Sequence, residues 1–547
     1  MRRSTFGLLG ASLGLSVFLG SCSAKETILF FPLRLSFEQA TSRSDEGQAA
    51  TSIRLLLSAP SEREVRATVL YQDESASGRD DCARRDYVGE AETVVFAPGE
   101  TTKTLLIRHL DDDVPESDEQ VRLEIQSLTG AAMAEPVHHH HTIVDDDRGA
   151  LFDVASDFGA QGDGSVDDTE ALQNAIDRAR LSDGAVVFFP PGTYQVRHLD
   201  LAAGVTYAGY QAVLQLAASQ PENARLVSLA HSAEEDSPLT FLSGLTFDGN
   251  REQQGKFDDW EYQRSSLLFV EGDAARRGRA KLALESIVFQ NAGGSGVVLG
   301  TNTDVSACDV HAREVFTDAL KLSGGASRLA LTHFSGAGEV GTTGIAITGK
   351  DPGFEQSQAV DVNLRSLHLA SGDLEIDVQG GAQVIAQNVT MDSPPFFLRA
   401  VRSTVLIEES QIVMGVPEFR ANRMIAPGDV VFQDCDLIVS ESIEPGRPLP
   451  EEDRQLTFAL VTWDDFSYGF SEDEEDVLVE VLSDQRLLFD SCRFQLGEDV
   501  EASDRTYVAG TATELVDPSQ QLVLRNCTFD EGFDDIFSPN CGPCLSE

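Results

Sequence analysis

Two patterns of apolar residues divide the chain into two parts. Between residues 31 and 147, short runs alternate apolar and polar positions and end in turn signals. A period of two predicts strands with one buried face, and about seven such runs indicate an antiparallel β-sandwich. The clearest runs are 52–57, 65–70, 94–96, 104–107 and 121–125.

Beyond residue 149 a longer pattern repeats. Apolar residues recur at offsets 0, 2, 5 and 7, and the neighbouring segments from Leu282 and Val305 start 23 residues apart. A period of this size predicts a solenoid of stacked strands, each bent between its inward positions. The segments that fit start at Leu282, Val305, Val362, Val384, Val430, Leu487 and Leu522.

The repeat also assigns a direction to each side chain. Offset 5 points inward, so Cys435, Cys492 and Cys527 are expected to form a buried ladder of thiols rather than disulfides. Offsets 6 and 8 point outward because their neighbours point inward. They hold Thr246, His311 and His368 at offset 6, and Asp248, Gln290 and Arg313 at offset 8.

A helix is predicted between the two patterned regions. Apolar residues at 171, 172, 175, 176 and 179 give one apolar face, and Asp167 or Asp168 is expected to cap the start.

The amino terminus indicates export. Arg2 and Arg3 precede an apolar stretch over 6–19, too short to span a membrane, and the stretch ends in Leu-Gly-Ser-Cys at 19–22. This ending resembles the lipobox of bacterial lipoproteins, which implies removal of a signal peptide 1–21, lipidation of Cys22 and a tether over 22–30. We therefore expect a lipid-anchored protein of the bacterial cell envelope, at the outer membrane or the cell surface.

Charge and cysteine usage narrow the class of partner. Acidic residues outnumber basic ones 90 to 41, which gives a formal charge of −49. Such a chain repels phosphate backbones and attracts cations, which argues against a nucleic-acid partner. In an oxidising compartment, Cys541 and Cys544 of the tail 541–547 are expected in disulfides, because no helix follows to activate a redox pair.

Acidic residues crowd two segments of the first region. Six carboxylates lie within 111–119, and three more are Asp145, Asp146 and Asp147. Crowded carboxylates repel one another unless a cation lies among them, and Ca²⁺ takes about six to eight oxygen ligands. A merely solvated acidic surface is the alternative, since runs of like charge are usually exposed.

The first region resembles a Calx-beta domain, through Asp86-Tyr87, VFAPGET at 95–101, DDDVPESDE at 111–119 and TIVDDD at 142–147. The resemblance implies an immunoglobulin-like sandwich over 31–147 that binds Ca²⁺. The ligands that it implies are Glu46, Asp86, Asp111, Asp112, the Val114 carbonyl, Glu116, Glu119, Asp145, Asp146 and Asp147. Cys82 and Arg84-Arg85 precede Asp86, and basic residues are unusual in a cation loop. For His138 to His141 we favour a half-exposed strand over a transition-metal site.

The second region resembles the pectate-lyase-like superfamily, through GAQGDGSVDDTEA at 159–171 and FPPGTY at 189–194. The resemblance implies a right-handed parallel β-helix over about 149–540, with the predicted helix covering its first coil. The fold class is then all-β. The Gly-His-Gly and Arg-Ile-Lys motifs of polygalacturonases are absent from the sequence, so hydrolysis by that machinery is not expected.

Outward residues of the solenoid are candidates for chemistry on a polysaccharide. Carboxylates for hydrolysis would come from Asp248 with Asp258 or Asp259 of the insertion 250–264, whereas His311 and Arg313 would supply the base and a cation for β-elimination. Sugar-stacking rings would come from Trp260 and Tyr262. Arg276, Arg277, Arg279 and Lys321 would admit an acidic polymer, although scattered surface bases are the simpler explanation. A second acidic insertion, 441–484, holds Trp463 and Asp464.

Two functions fit these features. In the first, a calcium-binding module presents a β-helix that binds polysaccharide, with or without lyase or glycosidase activity. In the second, the β-helix is a non-catalytic scaffold for adhesion or structure. The missing polygalacturonase motifs favour the second. The Asp-Asp-Trp insertion and the basic cluster of Arg276, Arg277, Arg279 and Lys281 favour the first.

Overall fold

The computed structural model describes most of the chain between residues 33 and 546. The described residues are 33–76, 78, 85–89, 91–111, 118–147, 149–221, 223–254, 265–273, 275, 278–338, 343–348, 360–370, 373–379, 381–392, 396–401, 403–414, 423–425, 429–439, 455–462, 486–496, 505–511, 521–530, 535–537 and 544–546. The predicted signal peptide, Cys22 and the tether lie outside them.

The first region is an antiparallel β-sandwich with two short parallel edge pairings. Its strands are β1 Arg34–Phe37, β2 Thr41–Asp45, β3 Ala50–Leu57, β4 Val65–Asp73, β5 Tyr87–Val88, β6 Glu92–Phe96, β7 Thr102–His109, β8 Glu119–Thr129, β9 Ala132–Met133 and β10 His138–Val144. One sheet has the order β5-β7-β3-β1-β9 and the other β2-β10-β8-β4-β6. The described residues thus contain more strands than the alternation predicts, since β5 and β9 are too short to show one.

Alternation places one face of each longer strand in the core of the sandwich. Leu35, Leu55, Phe96, Ile107 and Leu123 are almost fully buried there. Burying such side chains contributes roughly 1.5–3 kcal/mol each.

The second region is a parallel β-helix whose coils share one long sheet. Its strands are β11 Leu151–Asp153, β12 Asp163–Asp167, β13 Val186–Phe189, β14 Gly192–Val196, β16 Thr206–Leu216, β18 Thr240–Asp248, β20 Ala280–Ala292, β22 Thr303–Val315, β24 Arg328–Gly338, β26 Asp361–Leu369, β28 Gln383–Met391, β30 Thr404–Glu408, β31 Gln411–Met414, β33 Asp429–Gln433, β34 Asp436–Val439, β36 Arg486–Asp490, β37 Arg493–Leu496, β39 Gln521–Arg525, β40 Thr528–Phe529 and β42 Cys544–Ser546.

A second parallel sheet completes the coils. Its strands are β15 Leu199–Asp200, β17 Arg225–Ala230, β19 Ser266–Glu271, β21 Ser295–Leu299, β23 Leu320–Leu322, β25 Thr343–Thr348, β27 Asp373–Gln379, β29 Phe396–Val401, β32 Arg423–Ile425, β35 Gln455–Thr462, β38 Arg505–Thr511 and β41 Asp535–Phe537. Strands of the two sheets alternate along the chain, so each coil contributes to both.

A left-handed residue bends every predicted repeat at the same place. At offset 4 of each segment, φ lies between 51° and 57°. This conformation turns the strand so that offsets 0 and 2 before it, and 5 and 7 after it, all face the core. Asp and Asn tolerate it better than most residues, and four of the seven positions hold one of these two. The offset-4 residues are Ser286, Asp309, Ser366, Asn388, Asp434, Ser491 and Asn526.

The helix α1, Thr169–Ala179, packs its apolar face against the first strands of the β-helix. Leu172, Ala175, Ile176 and Ala179 are completely buried, as the sequence predicts. Asp168 occupies the N-cap position but makes no capping hydrogen bond. Its carboxylate instead accepts the backbone N–H groups of the preceding loop at 161 and 162, over 2.7 and 3.1 Å. Of the two expected caps, Asp168 is wrong, because the loop uses its carboxylate first. Asp167 Oδ1 instead accepts the backbone N–H of Thr169, the first residue of the helix, over 3.0 Å.

The interior of the β-helix holds the predicted thiol ladder. Cys435, Cys492 and Cys527 are free, and the first two are buried. They lie on neighbouring coils, since Arg493 and Thr528 donate their backbone N–H groups to the carbonyls of Cys435 and Cys492. Within the described parts of the chain, no helix has the length and apolar character needed to cross a membrane.

Candidate functional site

Predicted calcium ligands gather at one end of the β-sandwich. The last residues of β2 and β10 pair with each other, and β8 begins beside the end of β10. Leu110, after β7, donates its backbone N–H to the Asp86 carbonyl over 2.9 Å. These strand ends carry Glu46, Asp86, Asp111, Glu119, Asp145, Asp146 and Asp147.

Three of these carboxylates converge. Oxygen atoms of Asp111, Asp146 and Asp147 lie within 4.8 Å of one another, and all three residues are exposed. Gly47 borders the cluster: a Cβ at this position would lie 3.1 Å from Asp146 Oδ2 and 3.7 Å from Asp111 Oδ1. Glycine therefore leaves space where a side chain would crowd the carboxylates. Hard, anionic oxygens in this arrangement match the ligand preference of Ca²⁺.

Of the other predicted ligands, Asp86 is half-buried, and the rest divide into two groups. Glu46, Glu119 and Asp145 are buried, with 6–8% of their surface exposed, at the strand ends that carry the cluster. Asp112, Val114 and Glu116 lie outside the described residues, as do Cys82 and Arg84. Arg85 donates Nε–H to the Tyr87 carbonyl over 3.0 Å.

Strand β10 confirms that His138 to His141 form a half-exposed strand. His139 and His141 face the core, whereas His138 and His140 face outward. His139 Nε2 and His141 Nδ1 each lie 2.7 Å from Ser42 Oγ. His141 Nε2 lies 3.0 Å from His109 Nε2. The three buried rings thus form a continuous hydrogen-bonded chain.

Backbone carbonyls close this chain at both ends. His139 Nδ1 lies 2.8 Å from the Gln39 oxygen, and His109 Nδ1 lies 2.6 Å from the Gln48 oxygen. Burial lowers the pKa of His109, His139 and His141, since the interior disfavours the charged ring. Neutral imidazoles are therefore the favoured state at neutral pH.

A strip of polar side chains runs across the outer face of the long sheet. Pairing in register aligns Gln195, Gln215, Asp248, Gln290 and Arg313 on successive coils. Gln290 Nε2 donates to Asp248 Oδ2 over 2.9 Å, and Arg313 Nε–H donates to Gln290 Oε1 over 3.0 Å. Asp248 and Arg313 thus belong to one surface, as predicted, but Gln290 lies between them.

Asp248 is held firmly at the edge of a cleft. Its carboxylate also accepts the Asn250 backbone N–H over 2.7 Å and the Asn291 amide over 3.2 Å, and only 7% of the residue is exposed. The cleft has a volume of about 580 Å³. Its lining residues are Gln215, Asp248, Asn250, Arg251, Glu252, Asn291 and Glu314. Because these donors already occupy the Asp248 carboxylate, the residue is better suited to positioning its neighbours than to acting as a free general acid or base.

The predicted basic group is dispersed. Arg279 donates Nε–H to the Ala326 carbonyl over 3.2 Å, and Lys281 contacts Asp236 at 3.2 Å. Lys321 lies on β23 of the second sheet, 3.3 Å from Asp318. It therefore does not share a sheet with Arg313. Arg276 and Arg277 lie outside the described residues, as do Asp258, Asp259, Trp260, Tyr262, Trp463 and Asp464.

His311 faces outward beside a residue that the sequence did not single out. Its Nδ1 lies 2.6 Å from Ser335 Oγ on the next coil, and its Nε2 lies 3.4 Å from Asp309 Oδ1. Ser335 occupies offset 6 of the coil that starts at Leu329. The repeat template misses this coil because Gly336 occupies offset 7.

Comparison with known families agrees with both halves of this architecture. Residues 32–147 match the Calx-beta domain, and residues 152–394 match the family described as rhamnogalacturonase A/epimerase, pectate lyase-like. Residues 32–147 are a Calx-beta domain, and residues 152–394 belong to a pectate-lyase-like domain. The predicted families and their order are thus confirmed.

Curated relatives share a short part of this chain. Mannuronan C5-epimerase AlgE1 of Azotobacter vinelandii is 37% identical over 119 residues, which cover 19% of this chain and 8% of the epimerase. Alginate lyase 7 of the same organism is 35% identical over 115 residues, 19% of this chain and 13% of the lyase. The chain therefore spans only a small fraction of the length of these relatives.

Among solved structures, the A-module of A. vinelandii mannuronan C-5 epimerase AlgE6 is similar. It is 16% identical, and the alignment covers 72% of this chain and 99% of that module with a TM-score of 0.47.

Proposed function

We propose that this chain is a bacterial cell-envelope lipoprotein whose pectate-lyase-like domain binds an acidic polysaccharide along the polar strip. The observation that carries the proposal is the connected series Asp248, Gln290 and Arg313, which lies beside the cleft on one outer face. Relatives named for mannuronan and alginate support a uronate-containing polymer as the ligand class.

The strip combines groups that suit such a polymer. Gln290 fixes the Arg313 side chain, which is exposed, so the guanidinium meets a uronate carboxylate with little loss of side-chain freedom. Arg251 supplies a cation to the neighbouring cleft, whose lining also includes the carboxylates of Asp248, Glu252 and Glu314. Amides at 290 and 291 also hold Asp248, and such fixed polar groups suit binding of sugar hydroxyls.

Binding is the core of the proposal, and turnover is a separate outcome. Hydrolysis of a glycosidic bond requires two carboxylates on either side of it, and one of them must be protonated. Asp248 already accepts three hydrogen bonds, which argues against its use as that acid. This favours a lectin-like role for the strip over a glycosidase site.

Calcium belongs to the proposal through the Calx-beta domain. Asp111, Asp146 and Asp147 would hold the ion, with Gly47 leaving it room. The ion would neutralise carboxylates at the end of the sandwich and fix the segments that carry them.

A binding assay tests the main proposal. The full chain without its signal peptide is titrated with mannuronan, pectin and neutral glucans, at low and high salt. Arg313→Ala should weaken binding of the acidic polymers only, and this loss should shrink at high salt because the attraction is screened. The matched control is Arg328→Ala, an exposed arginine on β24 before the bend. Equal affinity of Arg313→Ala and the parent chain for every polymer contradicts the proposal.

The same samples reveal turnover. Unsaturated uronate products report β-elimination, and new reducing ends report hydrolysis. Polysaccharide binding without either product shows that the chain binds the polymer without cleaving its backbone.

Lipid attachment is tested separately. Expressed with its signal peptide, the chain should partition into detergent phase, and Cys22→Ser should remain in the aqueous phase. Aqueous partitioning of the unaltered chain contradicts the anchor.

A further inference from the structure

A serine, a histidine and an aspartate line up on the outer face of two adjacent coils. His311 on β22 and Ser335 on β24 are partners in register, and Ser335 Oγ lies 2.6 Å from His311 Nδ1. The other ring nitrogen, Nε2, lies 3.4 Å from Asp309 Oδ1. The hydroxyl and the carboxylate therefore contact opposite sides of one imidazole.

The fold holds the carboxylate in this position. Asp309 is the left-handed residue of its coil, with φ of 55°. Ser286, the equivalent residue of the preceding coil, donates its hydroxyl to Asp309 Oδ2 over 3.1 Å. Two bends on neighbouring coils thus direct Asp309 Oδ1 towards the side of His311 that faces away from Ser335.

These contacts match the requirements of an activated nucleophile. A hydroxyl at hydrogen-bond distance from imidazole can pass its proton to the ring as it attacks. At 3.4 Å from the far nitrogen, the Asp309 carboxylate stabilises through its charge the imidazolium that forms. His311 is exposed and Ser335 is half-buried, so a substrate can reach the hydroxyl.

A second imidazole lies on the other side of Ser335. His368 on β26 is its partner in register, about 4.8 Å away by strand spacing. His368 Nε2 lies 3.3 Å from Asp392 Oδ2. The hydroxyl of Ser335 thus has an imidazole in register on each neighbouring strand.

We propose that Ser335, His311 and Asp309 form a hydrolytic site that removes O-acyl groups from the bound polysaccharide. The polymeric substrate rests on the proposed function, whereas the acyl chemistry rests on this geometry. Serine and imidazole attack acyl carbons, whereas cleavage of a glycosidic bond needs a pair of carboxylates. An open sheet surface also suits a pendant ester, which does not require the polymer backbone to be enclosed.

The reaction balances with water as the second substrate. Ser335 Oγ attacks the ester carbonyl carbon, and its proton moves to His311 Nδ1. The bond from that carbon to the sugar oxygen breaks, and the sugar hydroxyl takes the proton from His311. Water then attacks the acyl-serine and gives a proton to His311. The bond to Ser335 Oγ breaks, Ser335 regains the proton, and a carboxylic acid leaves.

Acetate release and covalent labelling test this site. The full chain without its signal peptide is incubated with p-nitrophenyl acetate and with O-acetylated mannuronan. A fluorophosphonate probe followed by peptide mass spectrometry identifies the reactive serine. We expect the adduct on Ser335, and a loss of acetate release of ~100-fold or more in Ser335→Ala and in His311→Asn.

Thr246→Ala is the matched control. Thr246 occupies the same outward offset on β18, in register with Val213 and Val288, and its variant should release acetate at the parental rate. Thermal unfolding checks that each variant is folded. Unchanged acetate release in a folded Ser335→Ala variant, or no release and no adduct in the parent chain, overturns the esterase. If the parent chain binds polysaccharide but releases no acetate, the esterase is overturned and the proposed function stands. If it releases acetate from p-nitrophenyl acetate but binds no polysaccharide, only the proposed function is overturned.

Discussion

The buried ring of His141 makes the stability of the Calx-beta domain depend on pH. Burial, followed by the neighbouring His109 and His139, lowers the pKa of His141 from 6.5 to about 4. The unfolded chain takes up this proton near its ordinary pKa, so between these values it binds more protons than the folded chain. The stability that the neutral ring contributes is complete above pH 6.5 and is lost as the pH falls towards 4.

The size of the effect follows from the shift. With a folded pKa of about 4 and an unfolded pKa of 6.5, linkage gives a loss of about 2 kcal/mol at pH 5 relative to pH 8. Below both values the loss from this ring approaches about 3 kcal/mol. His109 and His139 add to it in the same direction, because burial lowers their pKa values too.

Hydrogen exchange in increasing urea measures this loss within one domain. Peptides from β8 and β10 report unfolding of the sandwich separately from the β-helix, once rates are corrected for the intrinsic effect of pH. In His141→Gln the amide can keep a hydrogen bond to Ser42 but cannot titrate, so the loss between pH 8 and pH 5 should shrink by about 2 kcal/mol. His140→Gln, on the exposed face of the same strand, should keep the parental loss. An equal pH dependence in His141→Gln and the parent chain refutes the reasoning.

Three further outcomes are expected. Calcium at 100 times its Kd should stabilise the Calx-beta domain by about 2.7 kcal/mol in the same exchange assay. Asp146→Asn should reduce this gain, whereas the control Asp177→Asn on α1 should not. An equal gain in Asp146→Asn and Asp177→Asn contradicts the site. The pKa of Cys527 is lowered to about 7, first by a hydrogen bond from Cys492, so maleimide should modify Cys527 before the two buried thiols of the ladder, Cys435 and Cys492. Faster modification of Cys492 contradicts this order. Phe289→Ala should cost roughly 3–5 kcal/mol in urea unfolding, because its fully buried ring stacks on the buried ring of Phe247. A loss below about 1 kcal/mol would mean that the two rings are not packed as described.

The repeat could be predicted from sequence because the same inward positions are buried in coil after coil and therefore require apolar residues. Leu282, Leu284, Ile287 and Phe289 are each almost fully buried, so the template carries a strong signal. The bend at Ser286 explains the odd spacing between offsets 2 and 5. The template missed two other coils because one of their inward positions is not a large apolar residue: Gly336 occupies offset 7 in one, and Ser410 occupies offset 5 in the other. Strand pairing nevertheless places both coils in register with their neighbours.

Polar geometry could not be predicted in the same way. Outward offsets have no required residue type, so the bridge through Gln290 and the contact of Ser335 with His311 depend on rotamers that sequence does not specify. The same limit explains Asp168, whose position predicts a cap but whose carboxylate binds the preceding loop. Lys321 shows a further limit, because its coil turns it onto the second sheet.

Stacking in register also spaces the outward side chains of the long sheet at equal intervals. Each coil advances the stack by about 4.8 Å, and Leu282 pairs with Val305. A linear polymer that lies along the stack would meet one outward position per coil, and the number of coils would set the length of polymer that the surface measures. Removing residues 282–304 would delete one coil and keep the remaining coils in register. The shortest oligosaccharide that binds tightly should then become shorter by one step.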